Sequence, residues 1–299
     1  MLDIHLIRKD PQKIRAALAR RNFDFDADAF VKLDADHRTL LREVEEFRRE
    51  RNKISTEISR LGKDETLLAE AKRIGHELDE KENKLVQLDN ALNSLLHTLP
   101  NLPDESVPVG KDDSANKIIR EVGEKPNFDF SPKDYLSLAT HHDLIDTERA
   151  SKVSGSRFGY LKREAALLEF ALVRFALDRL TKEGFIPIVP PVIIRVEMMA
   201  AMGYLDSAGD REERYLLEKD GLVFVGTSEQ SLGPMHADEI LDEDRLPLRY
   251  AGFSTCFRRE AGSYGKDTKG ILRVHQFDKV EMFIFSTPER SKAENELML

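Results

Sequence analysis

Cysteine is all but missing: the 299 residues contain one. No disulfide can form within the chain, and no Cys/His spacing matches a structural zinc site. No apolar run reaches the roughly 18 residues that a membrane-spanning helix needs. The opening Met1-Leu2-Asp3-Ile4-His5 has neither the basic flank nor the apolar stretch of a signal peptide. Basic charge is in deficit, with 46 Lys and Arg against 55 Asp and Glu for a net charge of −9. That excludes an overall cationic field and leaves any nucleic-acid contact to a local patch. Proline is absent between Pro11 and Pro100, where glycine occurs only at Gly62 and Gly75. What is present is a globular composition, 40% hydrophobic and 34% charged. The length, at about 150 residues per domain, points to two domains. Together these bounds predict a cytoplasmic protein of a reducing compartment, with no membrane partner.

The proline-free stretch carries a heptad. Leu33, Leu40, Phe47, Ile54 and Leu61 recur every seven residues, and the interleaved His37, Val44, Arg51 and Ile58 are half apolar. After a break at Leu61-Gly62-Lys63-Asp64-Glu65 the pattern resumes from Ala71 through Ile74, Leu78, Leu85 and Leu92 to Leu99. Steps of three and four are those of a coiled-coil seam, so two helices fold back as an antiparallel hairpin. Thirty-odd residues at 1.5 Å each make an arm of about 50 Å. Asp10-Pro11 caps a short preceding helix that runs to about Arg20. The spacing therefore predicts an N-terminal domain over 1–100, with the hairpin at about 28–98. Five prolines between Leu99 and Pro132 mark 101–135 as a linker or peripheral region.

Over 136–299 the pattern is mixed. A helix runs from about Glu164 to Glu183 and is closed by Gly184. Phe185-Ile186-Pro187-Ile188-Val189-Pro190-Pro191 follows, a strand whose prolines confine it to an edge or an interface. Further strands are expected at Leu222–Val225, Leu248–Arg259 and Ile271–Phe285. Glycine-rich loops rather than crossover helices join the last strands, so this half is α+β with an antiparallel β-sheet flanked by helices.

The most informative segment runs from Phe257 to Glu281, read as strand, loop and strand. Gly262, Gly265 and Gly270 free a polar, cationic loop that includes Lys266 and Lys269. Alternation in the second strand puts Arg273, His275, Phe277, Lys279 and Glu281 on one face. Arg273 to Phe277 and Phe277 to Glu281 each span about 13 Å. A cation, a ring and an acid at that spacing suit one extended ligand with a phosphate, a base and an ammonium group. Arg258 and Glu260 add a second cation and acid on the preceding strand. A solvated hairpin with cross-strand ion pairs explains the same pattern equally well on the residues alone.

This segment resembles the motif 2 hairpin of class II aminoacyl-tRNA synthetases, in the wording of the seryl-tRNA synthetase family. Lys152-Val153-Ser154-Gly155-Ser156-Arg157-Phe158 agrees with that family, and Gly184 to Pro191 resembles motif 1. The coiled-coil arm is the family's hallmark, so the resemblance covers essentially the whole chain. It implies ATP-dependent formation of seryl-adenylate from L-serine, then transfer of the seryl group to tRNA(Ser), with tRNA(Sec) as a further acceptor. By the motif match Arg258 contacts the α-phosphate, where a planar fork suits the geometry. Arg259 joins the ATP-binding set, Glu260 holds the adenine end or a neighbouring group, Phe277 stacks on adenine, and Arg273 binds the terminal phosphates. Glu281 takes the serine ammonium. ATP comes with Mg2+ bridging its phosphates, with no zinc, and motif 1 implies a homodimer.

Val225-Gly226-Thr227-Ser228-Glu229-Gln230 forms the second site segment. Thr227 with Gln230 reads first as a capping box. In the family the matching Thr-x-Glu stretch recognises serine, which makes Thr227, Ser228 and Glu229 serine-binding candidates, although alanine is common in place of Ser228. His141-His142 has no third ligand nearby and reads as ordinary polar surface. Cys256 reads as a small core residue and Met198, Met199 and Met202 as helix packing.

On the arm, Arg48, Arg49, Arg51, Lys53, Arg60 and Lys63 against Glu50 and Glu57 leave a local net of four positive charges. In the family the arm grips the tRNA's long variable arm by shape and phosphate contacts. No match to motif 3, with its further ATP-binding arginine, is found. The expectation is therefore an incomplete catalytic domain with motifs 1 and 2 only, inactive in aminoacylation by itself. A non-catalytic RNA-binding paralogue is the alternative.

Overall fold

The computed structural model describes residues 2–62, 64–261 and 270–299. Lys63 on the arm and Gly262, Gly265, Lys266 and Lys269 of the hairpin loop lie outside the described residues. The chain divides into two compact units, Met1–Glu124 and Lys125–Leu299.

In the first unit, α1 (Ile4–Lys9) and α2 (Pro11–Ala19) are each opened by an aspartate. Asp3 accepts from the His5 amide and Asp10 from that of Lys13, with Pro11 at the first helical position. α3 (Ala27–Leu61) and α4 (Glu65–Thr98) form the antiparallel hairpin. Gly62 breaks it at φ +89°, a conformation that favours glycine, and Asp64 caps α4. Leu40, Val44, Leu78 and Leu85 are buried along the seam, with Phe47 and Leu88 packed against them. Arg51 stays exposed at its seam position. A second cluster, which includes Ile7, Leu18, Phe25, Phe30, Leu92 and Leu96, forms where α1 and α2 cover the ends of α3 and α4. Here the seam departs from the heptad: Asp34, not Leu33, is buried, because Arg8 donates to it from Nε at 3.0 Å and Nη2 at 2.6 Å. Residues 101–124 are almost without regular structure. Arg20 ties them down by donating to the carbonyls of Glu105 and Val107.

The second unit begins with α5 (Tyr135–His141), β1 (Ile145–Asp146), α6 (Thr147–Ser154) and β2 (Tyr160–Leu161). α7 (Glu164–Lys182), β3 (Ile186–Ile188), β4 (Ile193–Arg195), α8 (Val196–Ala201) and α9 (Ala208–Glu212) come next. β5 (Leu216–Leu217), β6 (Leu222–Phe224), α10 (Glu229–Leu232), β7 (Leu248–Phe257), β8 (Gln276–Phe285) and α11 (Ser291–Met298) complete it. β7 and β8 are an antiparallel pair with Leu248 opposite Phe285 and Phe257 opposite Gln276. The smaller β4-β6-β5 sheet is antiparallel throughout and packs Val223 with Ile194, Met199 and Val225.

Two features differ from the expected sheet. β3 runs parallel to β7, with Ile186 opposite Tyr250; the long excursion through β4, β5 and β6 lets the chain re-enter in the same direction, and Pro187, lacking an amide donor, fits the edge. β8 begins at Gln276 rather than Ile271. The Ile271 amide donates to the Tyr135 hydroxyl and the His275 amide to the Arg157 carbonyl, so the ladder is interrupted there. Only the Arg258–His275 pair carries the register one step further. Cys256 and Met199 are fully buried, as expected of core residues. No described helix is long and apolar enough to cross a membrane.

Candidate active site

The β7–β8 register puts Gly252, Ser254 and Cys256 on the same face as Glu281, Lys279 and Phe277. The three small residues leave a hollow, which the turn before α10 fills. A Cβ at Gly252 would stand 2.8 Å from Leu232 Cδ1 and 3.1 Å from Ser228 Cβ. Ser228 is fully buried, 2.7 Å from the Ser254 hydroxyl and 3.3 Å from the Gly252 carbonyl that accepts from it. Ser228 therefore holds the turn to the sheet, and its side chain does not line the cavity.

Seated this way, the turn aims its neighbours at the hairpin. The Thr227 hydroxyl donates to Glu281 Oε2 at 2.5 Å and accepts from Lys279 Nζ at 2.6 Å; Lys279 also pairs with Glu281. The expected capping box does not form, because the Gln230 side chain accepts from the Gly226 amide at 2.7 Å. The Thr227 hydroxyl keeps only a 3.3 Å contact from the Glu229 amide on the helix side. Glu229 accepts from the Tyr204 hydroxyl at 2.9 Å. Burial, then that bond, pushes the Tyr204 phenol up to about 12.

Arg258 donates from Nε to the Gly226 carbonyl at 3.2 Å, and its guanidinium lies 5.2 Å from the centre of the Phe277 ring. Phe277 also borders a neighbouring cavity of about 380 Å³. Glu260, at φ +53°, is turned by its amide bond to Glu213 Oε2 at 3.1 Å, and its carboxylate accepts from Arg273 Nη1 at 3.3 Å. Arg259 goes the other way. Its amide donates to the Glu213 carbonyl and its guanidinium faces the Tyr215 ring at 5.8 Å. The strand ends at Phe257, and Arg259 does not line the cavity that Arg258 and Glu260 share.

The result is one cavity of about 560 Å³ whose wall alternates in charge: acids Glu213, Glu229 and Glu260, cations Arg214, Arg258, Arg273 and Lys279. Arg258, Glu260, Arg273, Thr227 and Glu229 were legible as candidates; Glu213, Arg214, Tyr204 and Lys279 were not singled out. Lys279 shares the alternating face of Phe277 and Glu281, which was a usable signal. Arg214 sits in a run of charged residues, and nothing in its spacing separates it from them. Burial first, then the charge of Arg258, lowers the Arg214 guanidinium from its ordinary value. Among the described residues no group of three or more His, Cys, Asp or Glu could hold a metal ion. His141 and His142 meet each other edge to face at 4.7 Å.

On the arm, Arg49, Lys53 and Arg60 share one face of α3 with Asn52, Thr56 and Glu57, at helical spacing. Arg48 pairs with Glu82 across the hairpin at 2.7 Å.

Residues 1–103 match the seryl-tRNA synthetase N-terminal domain, and residues 215–299 match the tRNA synthetase class II core domain (G, H, P, S and T). The serine–tRNA ligase of Nitrosopumilus maritimus is 42% identical across all of this chain and 72% of its own length. The chain belongs to the seryl-tRNA synthetase family. That makes it by family an enzyme, an ATP-dependent serine–tRNA ligase of class II. The serine–tRNA ligase of Acidothermus cellulolyticus is 44% identical over the whole chain and 71% of its own length. The crystal structure of seryl-tRNA synthetase from Pyrococcus horikoshii complexed with ATP superposes with a TM-score of 0.84 at 40% identity, over all of this chain and 72% of that one. The α+β fold with its helical arm is thus the family's fold.

Proposed function

We propose that the cavity bounded by Arg258, Arg273, Glu260, Thr227 and Glu229 binds serine and ATP and forms seryl-adenylate for transfer to tRNA(Ser). The carrying observation is the convergence of these groups, from segments far apart in sequence, on one cavity of about 560 Å³. In this reading Arg258 meets the α-phosphate, Arg273 the terminal phosphates and Glu260 the adenine end, while Phe277, already under a guanidinium, presents a ring face to the base. Thr227, Glu229 and Glu281 are acceptors for the serine ammonium and hydroxyl. In-line attack by the carboxylate needs placement and charge neutralisation rather than a proton-transfer group. Mg2+ would come to this site as a passenger on the ATP phosphates, where it would neutralise charge.

The stripe of Arg49, Lys53 and Arg60, with Arg48 and Arg51 beside it, would grip tRNA(Ser) or tRNA(Sec) by phosphate contacts. α7 exposes Leu167, Phe170 and Phe175 at 65–72%, which supports a homodimer through the motif 1 region. In this reading residues 1–100, 101–135 and 136–299 are the tRNA-binding, linking and catalytic parts, working in the cytoplasm. With no counterpart of motif 3, these 299 residues bind both substrates but do not aminoacylate by themselves.

Calorimetric titration with serine and ATP, paired with serine-dependent ATP–pyrophosphate exchange, tests both halves. Binding of both ligands without exchange is the expected result. Failure of the chain to bind either ligand refutes the site, and robust exchange refutes the inactivity.

A further inference from the structure

Arg214 is a buried charge with no carboxylate paired to it among the described residues. Its residue is 9% exposed, its Nε makes no hydrogen bond, and among the described residues no carboxylate lies within ion-pair distance of it. Buried charges in folded proteins are paired or serve a ligand, because desolvation of an uncompensated ion is costly. The Tyr204 ring and the Glu213 and Asp210 carboxylates, none of them paired with it, offset this cost only in part. The guanidinium lies over the Tyr204 ring, 5.1 Å from its centre, its Nε is sealed from solvent, and Arg214 lines the cavity with Nη1 beside Gly226. Arg258 stands on the other side of Gly226 and adds repulsion.

Gly226 is part of the same arrangement. A Cβ there would lie 3.2 Å from Arg214 Nη1, 3.3 Å from the Phe257 carbonyl oxygen and 3.4 Å from Arg258 Cγ. The φ at Gly226 is not positive, so what glycine provides here is room, and the room lies between the two arginines. The nearby acids have other partners: Glu213 accepts from the Glu260 amide, Glu229 from Tyr204 and Glu260 from Arg273, and Glu281 pairs with Lys279. The two guanidiniums thus define an anion-binding corner. It lies between the Tyr204–Glu229 end, suited to an ammonium, and Arg258.

We propose that Arg214 is a substrate-binding residue of the adenylation step, its Nη groups taking the carboxylate of the bound amino acid. The inference rests on the serine and ATP reading of the cavity. Arg214 holds the non-attacking oxygen of the carboxylate, and the other oxygen faces the α-phosphorus positioned by Arg258. That oxygen forms the new O–P bond, the bond from the α-phosphorus to the bridging oxygen of pyrophosphate breaks, and its electron pair leaves with pyrophosphate. No proton is gained or lost in the step. The held oxygen becomes the carbonyl of the mixed anhydride, still facing the guanidinium. A fork can grip a carboxylate oxygen in plane, which a lysine ammonium cannot do as well.

The test uses the 299-residue chain and calorimetric titration with serine, serinamide (which keeps the ammonium and hydroxyl but has no carboxylate) and AMP, together with melting curves. For Arg214→Met the expected result is serine affinity reduced at least about tenfold, the loss of one charge-assisted hydrogen bond. Serinamide and AMP affinities stay within about twofold and the melting temperature is unchanged or raised, since an unpaired buried charge has been removed. Arg214→Lys restores part of the serine affinity. Gly226→Ala, which fills the space beside Nη1, should weaken serine selectively too, and it carries the test should Arg214→Met fail to fold. A lower melting temperature with equal weakening of all three ligands makes Arg214 a structural residue and overturns the proposal. Weakened AMP with unchanged serine assigns it to phosphate and overturns it as well. If the unaltered chain binds neither serine nor AMP, it is the underlying reading of the cavity that has failed.

Discussion

Gly252→Ala is the substitution that most directly couples the sheet to the site. Its methyl would enter at 2.8 Å from Leu232 Cδ1 and 3.1 Å from Ser228 Cβ. Leu232 is 1% exposed and Ser228 fully buried, so neither has empty space to turn into. Reaching ordinary carbon contacts of about 3.5–4.0 Å requires the α10 turn to lift by about 0.7 Å or more. The 2.5 Å bond from Thr227 to Glu281 would stretch to the edge of the hydrogen-bonding range, near 3.2 Å. Overpacking of this kind costs about 1–3 kcal/mol, a fall in melting temperature of about 3–10 °C for a unit of this size. Loss of one hydrogen bond in a charged pocket would weaken serine about 10–100-fold. Calorimetry on the intact chain reads both quantities. Gly75→Ala is the control, since nothing lies within 4 Å of a Cβ there; in a helix interior it should stabilise by about 0.5–1 kcal/mol. If Gly252→Ala melts within a degree of the parent and binds serine as tightly, α10 does not seat the site as described.

Three further outcomes are expected. Arg8→Met strips a buried carboxylate, Asp34 at 5% exposure, of its bidentate donor. Such losses run to about 3–5 kcal/mol; with the Arg8 side chain 29% exposed we expect about 2–3, read by urea unfolding of the first unit. Arg249 donates to both oxygens of Glu294, at 2.7 and 2.8 Å, and holds that carboxyl below its ordinary range. A depressed carboxylate stabilises above the unfolded glutamate value, near 4.3, and loses that contribution as pH falls through the lower, folded value. Second-unit stability should therefore drop on acidification, and Arg249→Met should flatten that dependence below about pH 4.5. Charge reversal at Arg49, Lys53 and Arg60 should reduce tRNA affinity and flatten the plot of log affinity against log salt by about 0.7–0.9 per lost phosphate contact. An unchanged slope would mean that this face does not touch the backbone.

Local rules carried the arm a long way. The heptad, the missing prolines and the Gly62 break made a helical hairpin legible to within a few residues, because seam contacts repeat at short range and caps are read from neighbouring side chains. Where the heptad failed, at Asp34, the cause was a long-range partner, Arg8, which no periodicity encodes. The hairpin of β7 and β8 was legible too, but the ladder stops at Gln276 because Tyr135 and Arg157 claim the preceding amides.

The cavity divides along the same line. Alternation along the hairpin grouped Arg273, Phe277 and Glu281 on one face, with Arg258 on the preceding strand; the resemblance to the synthetase family then made these, with Thr227 and Glu229, candidates for the site. Which of their neighbours reach the cavity was decided in three dimensions. Ser228 is drawn into the hollow above Gly252, Arg259 swings to Tyr215 once β7 has ended, and Arg214 and Tyr204 arrive from a segment that only packing brings beside Gly226. Spacing in a chain orders the groups on one element; the approach of separate elements depends on volume and burial summed over the whole unit, and that sum exists only once the chain has folded.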